Sequence, residues 1–168
     1  MSTAIETERK FLIEFPIINA ISSNDLCVIK SIEQTYLISE KGCSRRVRKI
    51  TSNGIQTFIY TKKTRISEIS CIEEEYEISE DEYLAMMEQK NPVLNTIFKT
   101  RYSFPYKKHI MEVDIYPFWN DRAILEIELE TENEKYEIPE IFHIIKDVSD
   151  DKRYKNISLA YNIINEKL

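Results

Sequence analysis

Glycine is nearly missing from this chain: 168 residues carry only Gly42 and Gly54. Neither GxGxxG nor GxxxxGK[ST] can be written from them, so a phosphate loop built on backbone amides is excluded. Any phosphate bound here must be held by side chains, with arginine and lysine as donors. Histidine is equally scarce, and His109 and His143 stand alone without the spacing of a metal pair or triad. Cys27, Cys43 and Cys71 are odd in number, widely separated and form no CxxC pair. That argues against structural zinc and for free thiols in a reducing cytoplasm. No apolar run approaches the length of a membrane span, and the N-terminus lacks the basic segment and apolar run of a secretory signal. A formal net charge of −6 does not indicate a global nucleic-acid-binding surface.

The hydrophobic fraction, 42%, is high enough to rule out wholesale disorder and to build a core in a single domain spanning residues 1–168. Strand signals recur at Ile5–Ile13, Glu33–Ile38, Arg45–Ile50, Gln56–Lys63, Ile72–Ile78, Phe98–Phe104, Ile110–Tyr116 and Ala123–Glu130. Asn53–Gly54 lies between two of them and reads as a tight turn, which makes Arg45–Lys63 a β-hairpin. Ser79 followed by Glu82 opens a helix through "SEDEYLAMMEQK" as a capping box, and Pro92 limits its extension. Pro139 is expected to open a short helix through "PEIFHIIKD", and Asn156 to cap a last one, "ISLAYNIINEKL". The expected class is α+β, with about eight strands of mainly antiparallel sheet.

Charged residues make up 31% of the chain, and many fall inside the strand segments. Successive strand side chains point to opposite faces. Glu6, Glu8 and Lys10 therefore share a face, as do Arg46 with Arg48, Thr61 with Lys63, Glu75 with Glu77, Lys99 with Arg101, Glu112 with Asp114, and Glu126 with Glu128. Taken strand by strand, this is a half-exposed antiparallel sheet with its charged face in water. Taken together, paired acids on some strands and paired bases on others suit a second architecture: a closed barrel with a polar lumen and an apolar outside covered by helices. Such a lumen is costly unless its charges are paired or hold a ligand and metal. A polyanion with divalent cations would satisfy both signs.

The same residues carry a family resemblance. "ETERKFLI" resembles the ExExK signature of the CYTH family, the triphosphate tunnel metalloenzymes. In order along the chain, "EQTYLI", "RRVRK", "YTKK", "EEEYEIS", "KTRYSF", "EVDIYP", "ILEIELE" and "DVSDDKRYKNISLA" resemble its later segments. The likeness covers roughly residues 4 to 161 and is closest to the small bacterial inorganic triphosphatases.

The resemblance implies an eight-stranded antiparallel tunnel that binds a triphosphate lengthwise, with flanking helices, Mg2+ or Mn2+, and a homodimer. It implies that Arg46, Arg48, Lys63 and Arg101 clamp phosphate, with Lys10, Lys99 and Lys152 as further contacts. Lys63 is preferred to Lys62 as the lumen-facing residue. Glu6, Glu8, Glu126 and Glu128 become the first metal ligands, with Glu75, Glu77 and Asp114 as ligands or holders of metal-bound water. Tyr36 and Lys10 are the candidate catalytic groups, Tyr36 as proton acceptor or orienter, against an ordinary aromatic strand residue. The expected reaction is metal-dependent hydrolysis of inorganic tripolyphosphate. The alternatives are a thiamine or nucleoside triphosphatase, a class IV adenylyl cyclase (disfavoured because "MSTAI" carries no His-Phe before ExExK), and a non-catalytic polyphosphate or nucleotide binder.

Overall fold

The computed structural model describes residues 2–167. Eight long strands carry the fold: β1 (Ser2–Glu14), β2 (Val28–Leu37), β3 (Cys43–Ser52), β4 (Ile55–Arg65), β5 (Ser70–Ile78), β6 (Ile97–Tyr106), β7 (His109–Ile115) and β8 (Arg122–Leu129). All neighbours are antiparallel, in the order β5-β4-β3-β2-β6-β7-β8-β1. Closure depends on β1. Its first half, Ser2–Thr7, pairs with β5, and its second half, Thr7–Glu14, pairs with β8. The result is a closed eight-stranded barrel.

Local chemistry accounts for the elements. Asn53 and Gly54 both have positive φ, 50° and 79°, so the β3–β4 hairpin turns through the conformation that an Asn-Gly pair favours. Helix α2 (Glu80–Met87) carries the full capping box, with Ser79 and Glu82 satisfying each other's backbone amides.

Side-chain alternation divides the molecule into an outside and a lumen. Facing out, Phe11, Ile13, Met111, Val113, Leu125 and Ile127 form one cluster, covered by Ile21 of α1 (Ile18–Ser22) and by Phe142. Also facing out, Leu37, Val47, Tyr60 and Ile78 pack under Tyr83 of α2. Inside, Leu12, Tyr36, Ile97, Tyr116 and Ile124 close one end of the lumen. They continue the same strand faces as Lys10, Gln34, Lys99, Asp114 and Glu126. Beneath them lie Trp119, Val148, Tyr154 of the 3-10 turn Lys152–Tyr154, and Leu159 and Ala160 of α3 (Asn156–Tyr161). The barrel therefore has an apolar floor.

Two expectations are corrected. The segment "PEIFHIIKD" does not form a helix: Ile144–Asp147 is a short strand, β9, paired with Phe11–Ile13 of β1. After β5 leaves β1 at Thr7, those residues need backbone partners on that side, and the isoleucine-rich stretch supplies them. The last helix ends at Tyr161, and its N-cap is Lys155, without a side-chain cap. Asn156 turns inward instead, its Oδ1 accepting a hydrogen bond of 2.7 Å from the Tyr116 hydroxyl.

Leu12 is 2% exposed within the floor. Leu12→Ala is expected to cost about 2–5 kcal/mol, as for other buried leucines. Urea unfolding monitored by circular dichroism measures it; a loss below about 1 kcal/mol would mean that the floor is not packed as described.

Candidate active site: a two-sign cavity in the barrel

Above the floor the lumen is a cavity of about 320 Å³. Eight basic residues line it (Lys10, Arg46, Arg48, Lys63, Arg65, Lys99, Arg101 and Lys155), against four acids, Glu6, Glu8, Glu68 and Glu126. Most of the bases come from alternating positions on adjacent strands. Arg46 and Arg48 of β3 lie beside Tyr36 and Gln34 of β2 in register, and Lys63 of β4 lies opposite Ser44. Lys99 and Arg101 come from β6. The chain folds this way because the same strands carry Val47, Tyr60, Phe104 and Leu125 on their other faces, which bury against the outer clusters.

Arg101 is the hub. Its guanidinium grips Asp114 through two hydrogen bonds, Nε to Oδ1 at 2.6 Å and Nη2 to Oδ2 at 2.7 Å. It also reaches Glu126 at 2.6 Å and bonds Glu112. Asp114 is fully buried and holds the Lys99 ammonium as well. Lys10 bridges Glu126 at 2.7 Å and Glu8 at 3.3 Å. On the opposite wall Lys63 bonds Glu6 and lies 3.0 Å from Glu73, while Arg46 stands 3.6 Å from Glu73. Arg48 bonds Glu75 and, at 3.2 Å, Thr61.

Burial and charge set the protonation states. Burial disfavours the charged form of Lys99, and neighbouring Arg101 adds to this against the pull of Asp114, bringing the ammonium down to about 8. Arg48 is lowered to about 10 by burial and by Arg46, with Glu75 opposing. Burial works against the Lys10 ammonium too, but Glu126 and Glu8 overcome it and raise its pKa. Glu126 is held far below the ordinary carboxylate range: burial would raise it, yet Lys10, Arg101 and Lys99 prevail. Glu8 is raised by burial, and Lys10 only partly offsets this. Glu128 is raised to about 7 by desolvation and by the nearby charges of Glu112 and Glu6. Among the described residues that line the cavity, the Nε atoms of Arg46 and Arg48 and the Oε1 of Gln34 are buried without a hydrogen bond.

Most of the expected residues converge. Glu6, Glu8, Lys10, Tyr36, Arg46, Arg48, Lys63, Lys99, Arg101 and Glu126 all line the cavity. Of the lysine pair it is Lys63 that lines it, while Lys62 pairs with Glu74 at 3.6 Å on the other face. Asp114 and Glu75 sit behind the bases and anchor them. Glu128 lies on the lumen face of β8 but is exposed at the rim, and it makes no ion pair among the described residues. Glu77 and Lys152 do not join. Glu77 is exposed beyond the cavity. Lys152 is on the surface, 3.7 Å from Glu68. Its place is taken by Lys155, whose Nζ bonds the Glu68 carbonyl at 3.0 Å. The 3-10 turn between the two lysines rotates one outward and the other inward, which residue spacing could not reveal.

Glu73 and Gln34 were missed, although strand alternation places them on the faces of Glu75 and Tyr36, and Glu112, placed with Asp114 by alternation, was given no role. Among the described residues no three acidic, cysteine or histidine side chains are already gathered as a metal cage. The rim carboxyls Glu8 and Glu128 nevertheless have the chemistry of hard-cation ligands: oxygen donors, clustered, and incompletely neutralised by bases.

No family model and no curated protein sequence matches the chain. Solved structures do. The inorganic triphosphatase NE1496 is 24% identical with a TM-score of 0.55, the match covering 95% of this chain and 97% of that one. The PH1819 protein of Pyrococcus horikoshii OT3 is 21% identical with a TM-score of 0.61, over 76% and 80% of the two chains. A candidate adenylyl cyclase from Hippeastrum with a dominant triphosphatase activity is 14% identical with a TM-score of 0.51, over 75% and 80%. The chain thus has the CYTH triphosphate-tunnel fold.

The Glu128 carboxyl titrates above its ordinary value, so its contribution favours the fold at low pH and is lost as pH rises towards 7. Without divalent cation, the Tm of the parent is expected to fall relative to that of Glu128→Gln between about pH 5 and pH 8. Parallel melting curves for the two proteins across that range would rule out the repulsion at the rim.

Proposed function

We propose that this chain hydrolyses a triphosphate in the barrel cavity, inorganic tripolyphosphate foremost, with Mg2+ or Mn2+ held at the rim. The observation that carries this reading is the excess of bases in the lining, eight against four acids, together with the partnerless Nε atoms of Arg46 and Arg48. A buried guanidinium donor without an acceptor is costly. A polyanion supplies acceptors to both. Two proteins of the same fold are described as triphosphatases, which supports the reaction class. The only aromatic side chain in the lining is Tyr36, at the floor, so among the described residues none at the mouth can stack on a base or thiazole ring. This favours the inorganic substrate over a nucleotide or thiamine triphosphate.

The residues divide the work. Arg46, Arg48 and Arg101 present planar forks that bind phosphate oxygens in pairs, and Lys63 and Lys10 add point charges. Together they neutralise the charge that spreads over the equatorial oxygens in phosphoryl transfer. Lys99, lowered to about 8, remains mostly an ammonium at neutral pH and adds a further point charge, and Asp114 fixes its position. Glu8 and Glu128, with Glu6 and Glu126 behind them, would hold the divalent ions. When bound, such ions neutralise phosphate charge and acidify water.

Phosphate release from tripolyphosphate is expected to require Mg2+ or Mn2+ and to exceed that from ATP or thiamine triphosphate. Arg48→Ala is expected to weaken tripolyphosphate binding, measured in Ca2+ if that ion supports binding without turnover. A charge-assisted contact worth about 1.5–3 kcal/mol corresponds to roughly a ten- to hundredfold loss. Binding without release in any of these metals would reduce the protein to a polyphosphate-binding module, and unchanged affinity in Arg48→Ala would remove Arg48 from the clamp.

A further inference from the structure

The barrel changes partners along β1, and a side chain closes the gap. Register with β5 ends at Thr7, opposite Ser70, and register with β9 begins at Phe11, opposite Asp147. Glu8, Arg9 and Lys10 fall between the two. A β1 amide facing this gap has no ladder strand to bond, and a buried N–H left unpaired is costly. The Glu8 amide finds the Ile69 carbonyl at 3.2 Å, in the loop before β5. The Lys10 amide donates instead to the Ser149 hydroxyl oxygen at 2.9 Å, while the Lys10 carbonyl accepts from the Val148 amide at 2.9 Å. Both backbone groups of Lys10 are therefore held by two consecutive residues that follow β9.

Ser149 is itself fixed. It is 6% exposed and lines the cavity. Its hydroxyl has one proton to give, and the Asp147 carboxylate, with Oδ1 at 2.6 Å, is a nearer acceptor than the Lys10 carbonyl at 3.3 Å. The Ser149 amide donates to the same Oδ1 at 2.9 Å. This leaves a hydroxyl lone pair directed at the Lys10 amide. The side chain carried by that backbone is a lumen base, with its ammonium 2.7 Å from Glu126 and 3.3 Å from Glu8. A lysine stem is long and flexible, so the ammonium is only as well placed as the backbone it springs from. Misplacing a group in an active site by about 1 Å can cost about a hundredfold in rate. We propose that Ser149, oriented by Asp147, is a positioning residue for Lys10: its hydroxyl stands in for the missing ladder strand and so holds the ammonium where it meets phosphate. The role given to Lys10 rests on the hydrolase reading, which this device deepens.

The test is a double-mutant cycle between Ser149→Ala and Lys10→Met, read as tripolyphosphate affinity in Ca2+ beside thermal melting. Crystal structures of the parent and of Ser149→Ala locate the Lys10 ammonium without any substrate. Ser149→Ala should weaken affinity about tenfold when Lys10 is present and less than about twofold when Lys10 is already Met, because the serine acts through the lysine. Its loss of Tm should be the same in both backgrounds, since the seam loses one hydrogen bond in each. Asp147→Asn, at an exposed position, should show the same coupling with a smaller loss, and it carries the cycle if Ser149→Ala does not fold. Equal losses of affinity in the two backgrounds would overturn the proposal and leave Ser149 a brace of the barrel alone. So would unchanged affinity with Lys10 present, or a Ser149→Ala structure with the ammonium still seated between Glu126 and Glu8. A parent that neither binds nor hydrolyses tripolyphosphate fails the hydrolase reading, whereas the position of the ammonium in the variant structure decides the positioning role by itself.

Discussion

The structure depends on one constraint: charges of both signs are enclosed in a barrel too narrow to hydrate them freely. Each must find a partner across the lumen, because an unpaired buried charge costs several kcal/mol. Arg101 is the clearest solution, with Glu112, Asp114 and Glu126 all on one guanidinium. Lys10 between Glu126 and Glu8, and Lys63 between Glu6 and Glu73, repeat the arrangement on other strands. A polyanion must displace some of these carboxylates from their bases. On the proposed function, those released would be Glu6, Glu8 and Glu126, the oxygen donors that divalent ions prefer, and phosphate and metal binding would be coupled through the same ion pairs.

The site is graded along the barrel axis. At the floor, Leu12, Ile97, Tyr116 and Ile124 exclude water, and Asp114 lies fully buried just above them. In the middle, bases predominate and two guanidinium Nε atoms stay without acceptors. At the rim, Glu128 is pushed up to about 7 by desolvation and by other acids. On the proposed function, low dielectric at the bottom would strengthen each interaction with a phosphoryl group, while the wetter rim would let cations enter and leave. Burial and Arg101 bring Lys99 down to about 8, while Lys10, between two carboxylates, is raised.

Closure of the barrel is as economical as the site. Strand β1 serves two neighbours in succession, β5 through Ser2–Thr7 and β8 through Thr7–Glu14, and β9 fills the edge that β5 vacates. Glu6, Glu8 and Lys10 sit around that handover, so the motif near the N-terminus spans the seam of the barrel. Their carboxylates and ammonium reach both walls: Glu6 touches Lys63 of β4, and Lys10 touches Glu126 of β8.

Much of this was legible in the linear sequence, because strand alternation is a local rule. A period of two placed Glu6, Glu8 and Lys10 on one face, and Arg46 with Arg48, before any fold was known. Asn53–Gly54 announced a hairpin through its need for positive φ, and Ser79 with Glu82 announced a helix start. The same rule applied more strictly would have added Glu73 and Gln34. What alternation cannot supply is depth along a strand. Glu77 and Glu75 share a face, yet only Glu75 lies within reach of Arg48. Glu128 and Glu126 share a face, yet one is at the rim and the other 4% exposed. Outside the strands the rule lapses. Ile144–Asp147 became a strand because β1 had an unpaired edge there, and a 3-10 turn set Lys155 rather than Lys152 into the cavity. The sequence by itself determined which faces are charged, since that follows from neighbouring residues. Tertiary structure alone decided how deep each charge sits and which charges meet, since both depend on register and closure between strands far apart in the chain.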